Sequence, residues 1–256
     1  MQKCSVGYQL YSVRGEAETD LDGVLGALKE MGYDGVEFAG FYGHSAQEVR
    51  EMLDLHGLKG ISSHVPLQQI EADMADVLSN HQILGCKYIA IPYLVSELRP
   101  GTPGFTRFVD VVCAFSRLAK GAGITVLYHN HDFEFEQIDG HYILDILYNT
   151  IPADLLQTQL DLGWVMCSGL DPAAYLRQYA NRCPVVHLRD FVGNKQDATL
   201  EFGPIGYGCQ DLPSLLQAGI ESGTEWFIVE EDASPTGQPL MDAKKSIDTL
   251  IRLGLK

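Results

Sequence analysis

The stretch ALKEMGYDGVEFAG at residues 27–40 runs from a helical pattern, through Gly32, into a short apolar strand pattern. A glycine suits the end of a helix, because the left-handed backbone that closes the last turn strains residues that carry a Cβ. This order of helix, glycine and strand predicts an alternating α/β chain. It recurs in MLDLHGLKGISSHV (52–65), SNHQILGCKYIAIPY (79–93) and SRLAKGAGITVLYHNH (116–131).

Residues that cap helices indicate where three of the helices begin. A side-chain oxygen just before a helix can accept a hydrogen bond from a free N–H of the first turn. Proline is favoured in that turn, because its missing N–H would have no helical partner there. The candidate caps are Asp20 and Asp22 for the first helix, Ser45 with Glu48 as a capping box, and Asp171 before Pro172.

The second half of the chain continues the alternation. Strand patterns at 155–164, 184–191 and 226–232 are separated by helical patterns, and an opening strand at 6–13 brings the total to eight. Strands that alternate with helices pair in parallel through right-handed crossovers. Eight such units in about 250 residues are typical of a (β/α)8 TIM barrel. We therefore predict one TIM barrel domain over residues 1–256.

A doubly wound open sheet is the alternative fold. It would be expected to carry a G-x-G-x-x-G turn after the first strand, where a dinucleotide binds. The chain has no such turn there, and its GPIGYG segment (203–208) comes late and precedes a polar segment. The barrel is therefore the favoured prediction.

Composition and charge exclude several classes of protein. With 46% apolar residues the chain of 256 can bury a core, and 18 basic against 34 acidic residues give a net charge of −16, which disfavours nucleic acid as a partner. We see neither an apolar run approaching the ~18 residues of a membrane span nor a secretory signal, so we expect a cytoplasmic protein without a membrane partner. The six scattered cysteines form no C-x-x-C pair and are expected to be buried or incidental thiols.

Polar side chains stand at the carboxyl ends of most predicted strands, which is where TIM barrels build their sites. Residues two apart share one face of a strand, so His129 and His131 share a face, and so do His187 and Arg189. Adjacent strands could bring several of these groups together near the mouth of the barrel. The side chains expected to converge are His129, Asp161, His187 and Glu230.

Imidazoles and carboxylates in one group suit a divalent metal ion. The acidic share favours Mn²⁺ as the first choice, with Mg²⁺, Co²⁺ and Zn²⁺ as alternatives. A buried ion-pair network without a metal is the other interpretation, for example His187 with Asp190 or Arg189 with Glu230. If a metal is present, its removal should leave the carboxylates repelling one another and should lower the melting temperature.

Other residues near the strand ends are candidates for binding a substrate. Glu37, His64 and Arg189 could bind hydroxyl groups, although His64 is equally a candidate for a hydrogen-bonded core histidine. Aromatic residues of the strand-end loops could stack on a sugar ring or simply pack: Tyr11, Phe41, Trp164 and Phe191. Four histidines in helical or loop segments are expected to be solvated: His44, His56, His81 and His141.

Four segments at these strand ends carry a resemblance to a known family. They are YHNHDFEF (128–135), LDLGW (160–164), PVVHLRD (184–190) and FIVEED (227–232). In this order and at these strand positions they resemble the sugar phosphate isomerase/epimerase family, the xylose isomerase-like TIM barrels, and the likeness extends over essentially the whole chain. The resemblance implies one divalent metal held by Glu, Asp, His and Glu from strands five to eight.

The last three of those ligands match Asp161, His187 and Glu230, but the first position departs from the family pattern. Many relatives have a glutamate there, whereas this chain resembles the YHNHDFEF subgroup and has His129. Either His129 is the ligand, or Glu134 reaches back from the loop. In relatives that resemble ketose 3-epimerases the two glutamates transfer the proton, so the catalytic candidates here are Glu230, His129 and His131.

The resemblance implies a metal-dependent sugar isomerase or epimerase that works through an enediolate on a small keto sugar or sugar derivative. One alternative is a lyase, dehydratase or hydrolase on 3-keto-glycosides or keto-inositols, since protonation of a leaving group fits a histidine-rich fifth strand. The second alternative is a sugar-binding barrel without catalysis. A homodimer is a candidate oligomeric state, because relatives often dimerise.

Two further features weigh on the choice of ligand. A DNA-repair endonuclease of the same superfamily would be expected to present a basic face, which the net charge of −16 disfavours. A phosphate group would need a cradle, for which Lys195 and the glycines of GPIGYG (203–208) are only weak candidates. A neutral sugar is therefore the expected ligand.

Overall fold

The computed structural model describes residues 4–193 and 200–256. The strands in this part of the chain are β1 (Ser5–Gln9), β2 (Gly35–Phe38), β3 (Lys59–Ser63), β4 (Tyr88–Ile91), β5 (Thr125–His129), β6 (Gln137–Ile138), β7 (His141–Tyr142), β8 (Gln157–Asp161), β9 (Val185–Leu188), β10 (Asp190–Val192), β11 (Glu201–Gly203) and β12 (Trp226–Val229).

The helices of the described residues alternate with these strands. They are α1 (Arg14–Met31), α2 (Ala46–His56), α3 (Leu67–Ala72), α4 (Met74–Leu84), α5 (Phe105–Gly121), α6 (Ile143–Thr150), α7 (Leu162–Cys167), α8 (Pro172–Gln178), α9 (Leu212–Glu221) and α10 (Pro239–Arg252). Three short 3-10 turns lie at Leu10–Val13, Ser96–Leu98 and Phe133–Phe135.

Eight of the described strands form one parallel sheet in the order β3-β2-β1-β12-β9-β8-β5-β4. Its two outer strands, β3 and β4, also meet, because Lys87 N–H donates to the Ile61 carbonyl at 3.2 Å and Val65 N–H to the Ala90 carbonyl at 2.9 Å. The sheet therefore closes into a barrel, and the predicted (β/α)8 TIM barrel is confirmed. Two short antiparallel strand pairs, β6 with β7 and β10 with β11, lie outside the barrel sheet in the described part of the chain.

The predicted helix caps at both ends of the helices agree with the structure. Gly32, Gly57 and Gly85 cap their helices with φ values of 110°, 66° and 74°. Ser45 and Glu48 form the predicted capping box, and Asp171 accepts hydrogen bonds from the first turn of α8. The first helix begins at Arg14, but its backbone leaves the helical conformation at Asp20, and a second segment begins there with Asp20 as the predicted cap, since its carboxylate accepts a hydrogen bond from Gly23 N–H. Asp22 lies inside that segment and contacts His56.

A register shift in β3 changes which of its residues face the inside of the barrel. Gly35 and Val36 pair with Lys59 and Gly60, but Glu37 pairs with Ser62, so one extra residue is inserted in β3. That residue, Ile61, belongs to the inner apolar cluster, while the hydroxyl of the next residue, Ser62, contacts the Glu37 carboxylate. Two consecutive residues of β3 therefore face the interior.

The apolar core has two parts. A large layer lies between the strands and the surrounding helices, and a smaller cluster fills the inside of the barrel. Full burial of each large side chain stabilises the fold by about 1.5–3 kcal/mol. The inner cluster consists of Ile61, Tyr88, Ala90, Leu127, Val185 and Ile228.

One predicted solvated histidine is part of the core. His81 on α4 is buried, its Nδ1 lies 2.6 Å from the Val77 carbonyl, and its ring packs against Phe41. Helical placement alone did not reveal which face of α4 it occupies. Among the described residues, no helix combines the length and the apolar character needed to cross a membrane.

Candidate active site

A polar layer lies directly above the inner apolar cluster. Side chains two residues apart on a strand share a face, so the residues that follow the cluster by two positions also point inward. Leu127 is followed in this way by His129, and Val185 by His187. The buried polar residues of this layer are Gln9, Glu37, Ser62, His129, Gln159, Asp161, His187, Arg189 and Glu230.

Four side chains of this layer form a compact group of metal-ligand atoms. One nitrogen or oxygen from each of His129, Asp161, His187 and Glu230 lies within 4.8 Å of all the others, and all four residues are buried. They come from four neighbouring strands, since Glu230 directly follows β12. Two imidazole nitrogens and two carboxylate oxygens suit a divalent first-row metal ion.

The hydrogen bonds around this group are compatible with a bound cation. The Nδ1 atom of His129 is buried and has no partner. His187 contacts Glu230 at 2.7 Å through Nδ1 and Glu37 at 2.6 Å through Nε2. A carboxylate behind the far nitrogen of a histidine is the usual way to orient a metal-binding imidazole. The donor set therefore fits a divalent metal ion.

Arg189 connects the carboxylates of this site. Its Nε donates to Asp161 at 2.8 Å, its Nη2 donates to Glu230 at 2.7 Å, and its Nη1 lies 2.8 Å from Asp232. Burial opposes ionisation of Glu230, but Arg189 and His187 outweigh that effect and lower its pKa to about 2. The site therefore holds Glu230 as an anion.

Glu37 lies beneath His187 and is not positioned to touch a substrate. It is fully buried, and its carboxylate accepts hydrogen bonds from Gln9 at 2.7 Å and Gln159 at 2.6 Å, in addition to the contacts with His187 and Ser62. Burial raises its pKa, but His64 and His187 outweigh burial and hold that pKa well below the ordinary range. The expectation that Glu37 binds substrate hydroxyls is therefore corrected, because its oxygens are taken by protein donors.

The orientation of His64 follows from its neighbour Gln159. The amide nitrogen of Gln159 donates to Glu37, so its amide oxygen faces His64 Nε2 at 2.8 Å. An amide oxygen only accepts hydrogen bonds, so Nε2 of His64 carries a proton. His64 lines the cavity described below, where its predicted contact with substrate stays a prediction.

A cavity of about 440 Å³ opens above the polar layer. The ring of His131 borders it, and the buried Nδ1 atom of His131 has no hydrogen-bond partner. Burial lowers the pKa of His131 from its ordinary value; Asp161 opposes this and Arg189 adds to it. The charged and imidazole groups that line the cavity are His64, His129, His131, Arg189, Glu230 and Asp232.

Trp164 supports this end of the cavity from outside its lining. Its ring centroid lies 5.7 Å from that of His131, and the Arg189 guanidinium lies 5.4 Å from the indole. These contacts show that Trp164 packs against His131 and Arg189, and its predicted stacking on a substrate stays a prediction.

Glu134 stays apart from the group of metal-ligand atoms. Its carboxylate accepts hydrogen bonds from the Tyr128 hydroxyl at 2.6 Å and from His131 N–H at 2.8 Å. Burial raises its pKa to about 7, and the two hydrogen bonds partly offset that effect. Of the two candidates for the first ligand, the structure brings His129 to the group and leaves Glu134 in the loop that holds His131.

Asn130 is a site residue that sequence reasoning missed. It is fully buried, and its Oδ1 accepts a hydrogen bond from Asp161 N–H at 3.0 Å, which ties the end of β5 to the end of β8. An amide between two histidines at a strand end was the available signal. Gln9 and Gln159 were missed as well, although both are polar residues at buried, inward positions of their strands.

The glycine-rich segment GPIGYG donates backbone hydrogen bonds to Asp190 and not to a phosphate group. The Asp190 carboxylate accepts hydrogen bonds from the N–H groups of Gly206 at 2.9 Å, Gly208 at 3.0 Å and Gln210 at 3.1 Å. Because these donors point at a carboxylate of the protein itself, the prediction that the glycines of GPIGYG could hold a phosphate group is wrong. Lys195, the other weak candidate, lies outside the described residues.

Comparison with known sequences gives a family match over most of the chain. The family model described as xylose isomerase-like TIM barrel matches residues 25–253. The chain is 24% identical to the rhizopine catabolism protein MocC of Rhizobium meliloti, over 92% of this chain and 82% of that protein. It is 23% identical to inosose dehydratase of Geobacillus kaustophilus, over 91% of this chain and 87% of that enzyme.

Solved structures show the same fold. A sugar phosphate isomerase/epimerase from Parabacteroides distasonis superposes with a TM-score of 0.84 at 23% identity, covering 97% of this chain and 98% of that one. The IOLI protein with a bound zinc atom superposes with a TM-score of 0.77 at 18% identity, covering 97% of each chain.

Proposed function

Because this chain belongs to the xylose isomerase-like TIM barrel family, we propose that it is a metal-dependent lyase that eliminates water or an alcohol from a keto sugar or keto-inositol. One observation carries the proposal: the four metal-ligand atoms lie within 4.8 Å of one another at the charged end of a cavity of about 440 Å³. The relatives named inosose dehydratase support elimination over other reactions of the family.

A divalent cation supplies the electrophile in this proposal. Held by His129, Asp161, His187 and Glu230, it would polarise the keto oxygen and acidify the neighbouring C–H bond. Mn²⁺ stays our first expectation because two of the four donors are carboxylates, and the zinc atom of the similar IOLI structure makes Zn²⁺ the main alternative.

His131 is placed to move the proton. Its ring lines the cavity beside His129, with 5.2 Å between ring centroids, and burial lowers its pKa, so that the neutral imidazole can accept a proton. His131 would take the proton from the carbon next to the ketone. The electrons of that C–H bond form a C=C bond as the C–O bond at the next carbon breaks. His131 can then return the proton to the departing oxygen.

Arg189 and Glu134 position this machinery. Arg189 holds Asp161 and Glu230 side by side, and it borders the cavity, where a substrate hydroxyl can reach it. Glu134 holds the backbone of His131 through its N–H group. Both residues keep the reacting groups in one arrangement, which limits the reorganisation needed during the reaction.

An isomerase or epimerase is the second candidate. The observation in its favour is that His64 and His131 both line the cavity, with the His129 ring between them at centroid distances of 4.7 and 5.2 Å. A proton removed by one histidine and replaced by the other from a different direction would invert the carbon.

The test combines metal analysis with product analysis in deuterated water. The purified protein is analysed for bound metal and then incubated with an inosose and with 3-keto-glucosides, with ultraviolet absorbance and NMR as readouts. We expect an unsaturated ketone and a released alcohol or water, and a loss of product in Asp161→Asn and His131→Phe. Deuterium exchange without elimination would favour the epimerase. Binding of the sugar without metal, exchange or product would favour the sugar-binding barrel without catalysis.

A further inference from the structure

Arg189 donates a hydrogen bond to the oxygen of Asp161 that faces the group of metal-ligand atoms. The other oxygen of Asp161, Oδ1, accepts from the N–H groups of Gly163 at 2.9 Å and Trp164 at 3.2 Å. Oδ2 lies 3.9 Å from Nε2 of His129 and accepts from Nε of Arg189 at 2.8 Å. The atom of Asp161 that a cation would use is therefore already bonded to Arg189.

Glu230 is engaged by Arg189 in a similar way. Its Oε2 atom accepts from Nη2 of Arg189 at 2.7 Å and contacts Nδ1 of His187 at 2.7 Å. Each carboxylate oxygen has about two lone-pair positions, so both positions of this oxygen are taken. A cation that binds Oε2 must therefore displace one of these two groups.

Arg189 also opposes a bound cation by its charge. It is 2% exposed, and its guanidinium contacts the three carboxylates of Asp161, Glu230 and Asp232. An arginine does not lose its proton in a protein, so the positive charge stays in the site. Salt and water screen buried charges only weakly, so Arg189 would repel a divalent ion held by Asp161 and Glu230.

Asp232 offers the guanidinium a partner outside the group of metal-ligand atoms. Its carboxylate lies 2.8 Å from Nη1 of Arg189, and its side chain is 28% exposed. Asp232 lines the cavity but is not one of the four residues whose ligand atoms lie together. Arg189 can therefore turn away from Glu230 and still contact a negative charge.

We infer that Arg189 is a built-in competitor of the metal ion, which lowers the affinity of the site for a divalent cation and releases Glu230 when the cation binds. The inference rests on the metal site of the proposed function and not on its elimination reaction. We therefore expect the ion to exchange with free metal in solution. Because Arg189 lines the cavity, the released Nη2 would also become available to an oxygen of the substrate.

The first experiment compares metal affinity in the full-length parent, Arg189→Met and Arg177→Met. Each protein is loaded with Mn²⁺, and transfer of the ion to a chelator of known affinity gives the dissociation constant. Arg189→Met should bind Mn²⁺ about 10- to 100-fold more tightly than the parent, because a buried like charge is removed. Arg177→Met should stay within about 2-fold of the parent, since Arg177 pairs with Glu221 at the surface.

The second experiment follows the release of Glu230 through Trp164, in a protein that keeps Arg189. The chain has two tryptophans, so Trp226→Phe leaves only the Trp164 indole, which lies 5.4 Å from the guanidinium. Addition of Zn²⁺, which is diamagnetic, should shift the fluorescence emission of this variant. The shift should be absent when Arg189→Met is combined with Trp226→Phe.

Two results would overturn the inference. The first is equal or weaker Mn²⁺ binding in Arg189→Met, which would mean that Arg189 supports the metal site. The second is unchanged Trp164 emission in Zn²⁺-bound Trp226→Phe, a result that does not depend on the folding of Arg189→Met. Failure of the proposed function would look different: the metal affinities would differ as expected, but no keto sugar would yield an unsaturated product. Absence of metal binding in every variant would overturn both.

Discussion

Two layers inside the same barrel differ in how they are held together. In the lower layer Leu127, Val185 and Ile228 fill the space between strands by apolar contact alone. Two residues farther along the chain, His129, His187 and Glu230 are also buried, and His187 and Glu230 are held by a hydrogen bond to each other. The comparison teaches that one barrel interior can supply both an apolar core and a reactive site, and that charged residues such as His187, Arg189 and Glu230 are stable in the upper layer only together with their partners.

Loss of Arg189 should produce the largest effect. Arg189→Met leaves Asp161, Glu230 and Asp232 facing one another in a buried site, and breaking a buried charge pair destabilises proteins by about 3–5 kcal/mol. Urea unfolding at pH 7 measures this loss, and excess Mn²⁺ or Zn²⁺ should restore part of it. Arg177→Met is the control, since its exposed pair with Glu221 is expected to matter by less than about 1 kcal/mol. Equal losses of unfolding free energy in the two variants would contradict the predicted difference between the buried and the exposed ion pairs.

Removal of the charge on Glu37 should weaken metal binding. Glu37→Gln replaces one acceptor oxygen by an amide nitrogen that faces the donors Gln9, Gln159 and His187. Partners behind a metal ligand typically contribute 10- to 100-fold in affinity, so we expect a loss of about that size for Mn²⁺ or Zn²⁺ by calorimetry. Glu225→Gln, which removes a half-exposed carboxylate paired with Lys87, serves as the control. Unchanged affinity in Glu37→Gln would separate Glu37 from the metal site.

A change in the lower layer should affect stability without affecting the site. Ile228→Val removes one buried methylene group and should cost about 0.5–1.5 kcal/mol of unfolding free energy. Metal affinity should stay within about 2-fold, because the volume is lost below the charged layer. Ile251→Val on the exposed face of α10 is the control and should change stability by less than about 0.5 kcal/mol. A parallel drop in metal affinity would mean that the two layers are coupled.

The smallest expected effect concerns pH and His81, which lies outside both layers. Burial lowers the pKa of His81, although the Val77 carbonyl and Asp76 act in the opposite direction. The unfolded chain therefore binds a proton at His81 more readily than the folded chain does. The free energy of unfolding is thus unaffected by His81 above the ordinary histidine pKa and decreases as pH falls below it. Between pH 7 and pH 5 the parent should lose more unfolding free energy than His81→Gln. Replacement of an exposed histidine, His141→Gln, is the control for the effect of the substitution itself. Parallel curves for the parent and His81→Gln would refute the assignment to His81.

Most of the fold could be predicted from the sequence because its signals are local. The glycine caps and the apolar strand cores each depend on neighbours within one helix turn or one strand. Strand ends were placed too far along, because Glu230 and Asp232 continue the alternation after β12 has stopped pairing at Val229. Alternation reports which side a residue faces, whereas a strand end depends on hydrogen bonds to another strand.

The site was predictable where chain order was sufficient. Asp161 and His187 lie on adjacent barrel strands, and the structure brings them together as the family pattern implies. The partners of Glu37 could not be foreseen, because Gln159 is 122 residues away in the sequence. The sequence also did not show that a protein cation would offset part of the negative charge of the site. Arg189 contacts three of its carboxylates, those of Asp161, Glu230 and Asp232.

The extra residue in β3 sets the phase of the strand for everything that follows it. Continuous alternation from Ile61 would turn Ser63 inward, whereas the shift turns Ser62 toward Glu37 and His64 into the cavity. Removal of a single residue at this point would therefore change which side of the strand Ser62 and His64 face, although neither residue would itself be substituted. In an engineered or diverged barrel, the length of β3 up to this shift is thus as strict a requirement as the identity of His64.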